Sequence, residues 1–434
     1  MSPNRQKVFR NLFWAMLGKI INIFCGLLVG IFVARYLGPG KFGLMNYIIS
    51  YVTLFSVFAT FGLDSIEIRE LAKKNVIKEK IIGTAFVIRL ILSIITIGFI
   101  SVTLYLFESD FFTITLVLIY SISLIINSLN VIRNYFTSII LNEFVVKTEI
   151  VRTIIGTGIK LGLLIINAPL AWFIVAATFD FVLIGGGYIF SYRKKVGAIK
   201  DWSFDKHEAV ILMKAAFPLL LSGTAIIIYQ RIDQVMIRNM INNDALGFYS
   251  IAAKFTEFAI FIPNVIAQTV TPLLVQAHQN DMKEYKIKSQ QFLNLMWWGA
   301  VFIALLISLF AYPIILILYG STYSPAIVVL QIMAWRAVFD SFFAASGQLI
   351  IIENLQKYAV IRNIIGLIVC VGLNLILIPH FGIIGSAWTS IITMFFSGYI
   401  SHLIIKPYRS IFRLQNESIL YGWRSLFIFK NEKK

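Results

Sequence analysis

Eleven charged side chains fall inside strongly apolar runs of this sequence. A charge at the centre of a bilayer is costly, so such residues usually face protein or water and mark a pathway through the membrane. The four acids are Asp180, Asp233, Glu257 and Asp340, and the seven bases are Lys19, Arg89, Lys160, Lys214, Arg231, Lys254 and Arg336. The excess of bases indicates a cationic passage.

The deepest of these charges are Arg231 and Asp233 in one apolar run and Lys254 and Glu257 in the next. Residues two apart point to different helix faces, so Arg231 and Asp233 are not expected to pair with each other. Arg231 could face the cavity while Asp233 meets a partner helix. Lys254 and Glu257 are spaced i,i+3 and can form an intrahelical salt bridge. We interpret all four residues as functional.

The remaining charges divide by depth and spacing. Arg336 and Asp340 are spaced i,i+4, and we interpret them as a structural pair that neutralises itself. Lys214 lies within one turn of the inner boundary and is expected to snorkel. Three bases lie about two turns inside the same boundary, where they could reach the headgroups or line an inward-facing cationic cavity. These are Lys19, Arg89 and Lys160.

Composition shows which elements must position these charges. Hydrophobic residues make up 59% of the 434 residues, charged residues 14%, and the mean hydropathy is +0.82. Soluble domains carry about 25% charged residues. Repeated long apolar runs predict an all-α polytopic membrane protein with about 12 transmembrane helices. We place the spans at 12–34, 43–62, 81–107, 112–132, 153–167, 171–190, 211–238, 248–272, 291–318, 326–350, 361–378 and 383–405.

The formal net charge of +17 is explained by the orientation of the chain in the membrane. With the N-terminus inside, 28 of the 38 Lys and Arg residues fall on the inner side and three on the outer side. This asymmetry follows the positive-inside rule and explains the basic balance without a nucleic-acid partner. We expect a multi-pass membrane protein with both termini in the cytoplasm. The tail after Lys406 is expected to be either an amphipathic segment on the inner leaflet or a solvated tail.

The two halves of the chain resemble each other in one turn. Gly43 and Gly247 occupy matching places about 204 residues apart, each at the start of a span. Six spans per half would give two lobes of the same orientation around a central cavity. The predicted domains are an N-terminal six-helix lobe (1–208), a C-terminal six-helix lobe (209–406) and a cytoplasmic tail (407–434).

The sequence lacks the motifs that are typical of several classes of enzyme and metalloprotein. The sequence has no Walker-type loop, no HExxH and no Cys/His metal cluster, so we expect no enzyme, cofactor or metal site. Glu67 and Glu70 could suggest a glycosyltransferase loop, but the neighbouring bases favour a solvated inner loop. The default is a secondary transporter or flippase.

The chain resembles a known family over about Arg10 to Lys406. The residues that carry the resemblance are the opening Gly26–Tyr47, which contains Ala34-Arg-Tyr-Leu-Gly-Pro, together with Phe61-Gly-Leu63, Arg231-Ile-Asp233, Ala245-Leu-Gly-Phe-Tyr249 and Ile378–Trp388. These segments are similar to the polysaccharide repeat-unit flippases of the O-antigen type, within the multidrug/oligosaccharidyl-lipid/polysaccharide exporter superfamily.

The resemblance implies a function. Members flip an undecaprenyl-diphosphate-linked oligosaccharide from the inner to the outer leaflet by alternating access. The cations Arg231, Lys254, Lys19, Arg89 and Lys160 would line the substrate cavity and stabilise the diphosphate. Asp233 or Glu257 would take up H⁺ or Na⁺ and couple flipping to a gradient. Membrane lipids and the polysaccharide polymerase machinery are further expected partners.

Three alternatives stay open. A peptidoglycan-precursor lipid flippase belongs to the same superfamily. So does a multidrug/cation antiporter, for which more acids than bases would be expected within the spans. A membrane glycosyltransferase or polymerase would need a long outer loop, and the predicted outer loops are all short.

Overall fold

A computed structural model of the chain describes residues 3–73 and 76–427, and every regular element in these ranges is helical. The helices are α1 (Pro3–Thr60), α2 (Leu63–Leu71), α3 (Lys78–Phe107), α4 (Phe111–Ile126), α5 (Asn130–Ser138), α6 (Asn142–Ile165), α7 (Leu170–Lys195), α8 (Lys206–Met240), α9 (Asn243–Asn280), α10 (Met282–Tyr319), α11 (Ala326–Met333), α12 (Arg336–Ile352), α13 (Ala359–Phe395), α14 (Ser401–Ile404) and α15 (Arg409–Phe427). A π-helical turn, Phe396–Ile400, joins α13 to α14.

Two glycines break the long helices α1 and α13 at predicted turns. Gly38 in α1 has φ 71° and Gly382 in α13 has φ 59°, and both values lie in the left-handed region that glycine tolerates best. Each residue therefore ends one helix and starts another without a separate loop. The predicted boundaries near residues 35–42 and 379–382 agree with these breaks.

The count of spanning segments matches the sequence prediction. Nine helical stretches in the described chain are long and apolar enough to cross a bilayer. Two of them, Phe24–Thr60 and Gln356–Ile404, contain the glycine breaks and hold two helices each. With these two stretches divided, the spans number eleven. The more polar α6, which is 24 residues long, adds a twelfth. The predicted span 153–167 was too short, because α6 begins at Asn142.

Polar residues at the turns fix where several helices begin. The Asp110 carboxylate accepts hydrogen bonds from the backbone N–H groups of Phe112 and Thr113, and the side chain of Asn242 accepts one from Ala245 at 2.8 Å. These contacts satisfy N–H groups that the first turn of a helix leaves unpaired. The caps place the predicted outer turns before α4 and α9.

The helices form two compact units. The first contains the chain up to Leu37 together with Leu44–Ile227, and the second contains Gly38–Gly43 and the chain from Ile228 onward. The predicted lobe boundary at 208/209 stays a prediction.

The core of the first unit lies at the predicted inner ends of its helices. Its buried cluster includes Leu63 and Ile66 of α2, Ile82 of α3 and Tyr192 of α7. The Tyr192 ring packs edge-on against Trp202, with centroids 5.5 Å apart. This apolar cluster explains why 63–71 is helical, because α2 buries one face against it.

In the second unit, the Gly38–Gly43 segment packs against the start of α9. A Cβ atom at Gly43 would lie 1.8 Å from the Asn243 carbonyl oxygen, and one at Gly247 would lie 2.2 Å from the Pro39 carbonyl oxygen. Each of the two matching glycines therefore packs against the turn that precedes the other glycine, and neither position has room for a side chain.

The C-terminal helix α15 packs on α10. Gln290 donates to the Leu414 carbonyl at 3.0 Å and to the Ser418 hydroxyl at 2.8 Å, and the Trp298 indole N–H donates to the Ser418 carbonyl at 3.0 Å. Ile411 is fully buried. The first part of the predicted tail therefore packs one face against α10, and its place on the inner leaflet stays a prediction.

Candidate functional site

Asp233 lies in the interior of the second unit on α8. It is 4% exposed, and its carboxylate accepts a hydrogen bond from the Tyr249 hydroxyl of α9. The backbone N–H of Gln234 donates to its other oxygen at 2.7 Å. The sequence interpretation that Asp233 meets a partner helix agrees with this placement.

A tightly packed polar pocket adjoins Asp233. Its lining includes Arg336, Asn374 and three hydroxyl side chains, Ser386, Ser390 and Thr393. Asn374 is fully buried and its amide donates to Cys370 Sγ, while its Oδ1 has no hydrogen-bond partner in the described chain. Oxygen atoms without donors are the ligands that hard cations prefer.

Arg336 and Asp340 form the predicted intrahelical pair on α12. Arg336 Nε lies 3.0 Å from Asp340 Oδ2, and both side chains are only about one-tenth exposed. Arg336 also lines the pocket at Asp233, so its positive charge lies near both acids. A change in the charge of Asp233 would therefore alter the balance of this cluster.

Arg231 belongs to a more open part of the second unit. Its Nη2 lies 3.3 Å from Glu257 Oε1, and the side chains are 32% and 57% exposed. This ion pair joins α8 to α9. Lys254 Nζ lies 4.6 Å from the centroid of the Phe42 ring, within range of a cation–π contact.

Arg362 is a buried cation, although its place in the sequence predicts an inner loop. The structure corrects this, because Arg362 is 6% exposed and its guanidinium lies 3.8 Å from the Phe343 ring centroid. It lines a cavity of about 440 Å³ together with Gln230, Asn264 and Gln348. Its position four residues into an apolar run was the available signal, but the nearby Lys357 made both residues look like a loop boundary.

Arg89 is held in a complete hydrogen-bonded network in the first unit. Its Nε lies 2.6 Å from Glu67 Oε1 and its Nη2 lies 2.8 Å from Asp64 Oδ1. The Asn134 amide donates to both carboxylates, at 2.6 and 2.8 Å. Arg89 is 1% exposed and Glu67 is fully buried.

This network changes two sequence interpretations. Glu67 is not in a solvated loop, because α2 forms and turns this carboxylate toward Arg89. Arg89 reaches neither the headgroups nor an open vestibule in this structure, since both of its bonded nitrogens bind carboxylates. Contact between Arg89 and substrate stays a prediction, without support from this geometry.

Lys160 also has an acidic partner. Its ammonium group binds the Asp180 carboxylate of α7, with side-chain exposures of 24% and 13%. Gly156 makes room for that carboxylate, because a Cβ there would lie 2.0 Å from Asp180 Oδ1. The side chain of Lys19 lies outside the described part of the structure.

A family model described as "Polysaccharide biosynthesis protein" matches residues 8–278, which is more than half of the chain. The chain belongs to the polysaccharide biosynthesis protein family. The assignment suggested by the sequence motifs is therefore confirmed. No match is found among curated protein sequences.

Solved structures show the fold of this family member. It is similar to a multidrug resistance MATE family transporter of the MOP superfamily, with 15% identity, a TM-score of 0.66 and coverage of 92% of this chain and 96% of the other. It is also similar to the lipid II flippase MurJ, with 16% identity, a TM-score of 0.69 and coverage of 98% and 94%. A MOP superfamily transporter from Pyrococcus furiosus has 17% identity, a TM-score of 0.56 and coverage of 97% and 95%. The predicted fold class is confirmed, and the family member is a multi-pass membrane protein.

Proposed function

We propose that this protein flips an undecaprenyl-diphosphate-linked oligosaccharide repeat unit from the inner to the outer leaflet, for surface polysaccharide biosynthesis. The observation that carries the proposal is the family match over residues 8–278. The protein would act as a transporter and not as an enzyme. It would lie in the bacterial inner membrane with both termini in the cytoplasm, in line with the distribution of Lys and Arg.

The chemistry of the second unit supports an anionic substrate. Arg231 is about one-third exposed and pairs with Glu257 at 3.3 Å, which is a long contact for an ion pair. An incoming diphosphate offers more negative charge than one carboxylate, so it could displace Glu257 from Arg231. Lys254 is one helical turn from Glu257 and would add a second cation. Lys19, Arg89 and Lys160 remain proposed members of the cavity on the family resemblance alone.

Asp233 would bind the coupling ion. Glu257, once the diphosphate has displaced it from Arg231, would be a second acid able to bind the ion. The pocket beside Asp233 combines a buried carboxylate with an Asn374 oxygen that has no partner in the described chain. Its close packing suits H⁺, which needs no added volume, whereas Na⁺ would require the pocket to open before these oxygens could bind it. Transport assays with opposed Na⁺ and H⁺ gradients distinguish the two ions.

Deletion of the gene tests the proposal. We expect lipid-linked oligosaccharide to accumulate in the inner leaflet, measured by its accessibility to a membrane-impermeant glycosidase in oriented vesicles. Re-expression of the wild-type chain should restore outer-leaflet exposure, and Arg231→Ala should not. An unchanged leaflet distribution after deletion would refute the flippase assignment.

The similarity to the lipid II flippase supports a second candidate, a peptidoglycan-precursor lipid as substrate. The same vesicles can be assayed for both lipids. Accumulation of lipid II alone in the deletion strain would favour this candidate. The similarity to a MATE transporter leaves a multidrug/cation antiporter as a third, and an increase in drug sensitivity without a lipid defect would support it.

A further inference from the structure

A basic groove lies between α6 and α7 in the first unit, at the end where α6 begins and α7 ends. The helices run antiparallel, since Thr148 contacts Gly187 and Ser191, while Lys160 contacts Asp180. The groove has a volume of about 540 Å³. Among the described residues, its lining contains four bases and no acid: Lys147, Arg152, Lys194 and Lys195.

The four bases are only partly neutralised by the protein. Lys147 binds Glu143 at 2.7 Å. Lys194 and Lys195 stand over the rings of Phe190 and Phe144, with Nζ 5.8 and 5.4 Å from the ring centroids. Aromatic faces stabilise an ammonium group without cancelling its charge.

Arg152 has unused hydrogen-bonding capacity. Its Nη2 lies 3.4 Å from Asn22 Oδ1, while its Nε is buried without a hydrogen-bond partner in the described chain. A buried donor left without an acceptor costs free energy, so an acceptor in the groove would stabilise this conformation. Phosphate oxygens are suitable acceptors, because the planar donor fork of a guanidinium group matches their geometry.

An exposed apolar strip continues from the bases along the same two helices. Val151 is 55% exposed, Ile155 is 42% exposed and Phe190 is 66% exposed. A soluble anion would leave this strip unused, whereas a lipid would cover it with acyl chains. The positive-inside rule assigns this end of α6 and α7 to the inner leaflet, where anionic lipids attract basic segments.

We propose that the α6–α7 groove binds an anionic phospholipid of the inner leaflet. Its phosphate would bind Arg152 and Lys195, with Lys147 and Lys194 at the rim, and its acyl chains would lie along Val151, Ile155 and Phe190. This site is separate from the charges of the second unit and does not depend on the proposed flippase activity.

Native mass spectrometry of the full-length protein in detergent tests the site, with phosphatidylglycerol, phosphatidylcholine or sodium pyrophosphate added. We expect phosphatidylglycerol to bind in preference to phosphatidylcholine. The double variant Arg152→Gln/Lys195→Gln should weaken phosphatidylglycerol binding about thirtyfold, because two bases at roughly 1 kcal/mol each contribute about 2 kcal/mol. Arg193→Gln is the matched control, since Arg193 is exposed on the same turn of α7 and does not line the groove.

A second variant tests the acyl-chain part of the groove. Val151→Trp fills the apolar strip without changing any charge, and it should also weaken phosphatidylglycerol binding. Size-exclusion chromatography confirms that each variant is folded. Equal binding by the double variant and the Arg193→Gln control, equal binding of phosphatidylcholine, or displacement of the lipid by pyrophosphate would each overturn the proposal.

Discussion

The two units hold their buried charges in different ways. In the first unit, Arg89 lies between Glu67 and Asp64, and Asn134 donates to both carboxylates. In the described part of the second unit, the carboxylate of Asp233 has one side-chain donor, from Tyr249, and adjoins a pocket with an unpartnered amide oxygen of Asn374.

This difference separates a structural role from a functional one. A buried network in which every charge is matched loses stability when one member is removed, because the others are left uncompensated. A buried acid beside unused oxygen ligands can change its proton or ion occupancy without breaking such a network. The second-unit cluster is therefore the better candidate for coupling, although both clusters contain buried acids and bases.

The largest expected effect is on the folding of the first unit. Arg89→Ala should lower the free energy of unfolding by about 3–5 kcal/mol, because it leaves Glu67 buried without its cation. Thermal unfolding in detergent and the protein level in membranes measure this loss. Arg193→Ala, which removes an exposed base, is the control. Wild-type stability of Arg89→Ala would show that the network is not structural.

Asp233→Asn should impair transport without impairing folding. The amide oxygen can still accept from Tyr249, but the side chain cannot take up a proton or supply a full negative charge for Na⁺. We expect gradient-dependent flipping to fall by roughly 5–150-fold, which corresponds to the loss of a coupling free energy of about 1–3 kcal/mol. The protein level should stay near wild type. Asp340→Asn is the comparison, since it breaks an ion pair and should mainly reduce stability. An Asp233→Asn protein with normal gradient dependence contradicts the coupling role.

A smaller stability effect is expected at the more open ion pair. Arg231→Gln should change the free energy of unfolding by less than about 1 kcal/mol, because partly exposed pairs contribute little. Surface polysaccharide should nevertheless decrease, since the proposed phosphate contact is lost. Lys288→Gln breaks an exposed pair with Glu284 on α10 and should change neither quantity. Normal polysaccharide in Arg231→Gln would remove this residue from the proposed cavity.

The smallest effect concerns pH. Partial burial opposes ionisation of Asp64, but the guanidinium of Arg89 and the amide of Asn134 outweigh it and lower the pKa of Asp64. The stabilisation is therefore complete above the pKa of the unfolded chain and is lost as pH falls below about 4. Asp64→Asn should reduce this acid sensitivity of the melting temperature. An identical pH dependence in both proteins would show that other carboxyl groups determine it.

The sequence predicted the spanning segments because their signals are local. Apolar length locates a span, and glycine turns such as those at Gly38 and Gly382 divide one span from the next. The Arg336–Asp340 pair was also predictable, because both residues lie on one face of one helix at i,i+4 spacing.

Contacts between residues far apart in the sequence could not be predicted from such local signals. Arg89 lies 22 residues from Glu67 in sequence, and the basic neighbours of Glu67 made the segment look solvated. The buried face of α2 becomes visible only when Leu63 and Ile66 are seen packed against α3 and α7. Arg362 was missed for a related reason, since a base near a span boundary can either reach water or turn inward, and only its packing on Phe343 decides this.

The reciprocal contact of Gly43 and Gly247 has a consequence for biosynthesis. The Gly38–Gly43 segment leaves the ribosome with the first helices, but its packing partner at Asn243 is made about 200 residues later. The early segment therefore lacks this packing partner until α9 has been synthesised. Expression of the two halves as separate polypeptides would thus leave the second unit without a piece that only the first polypeptide encodes.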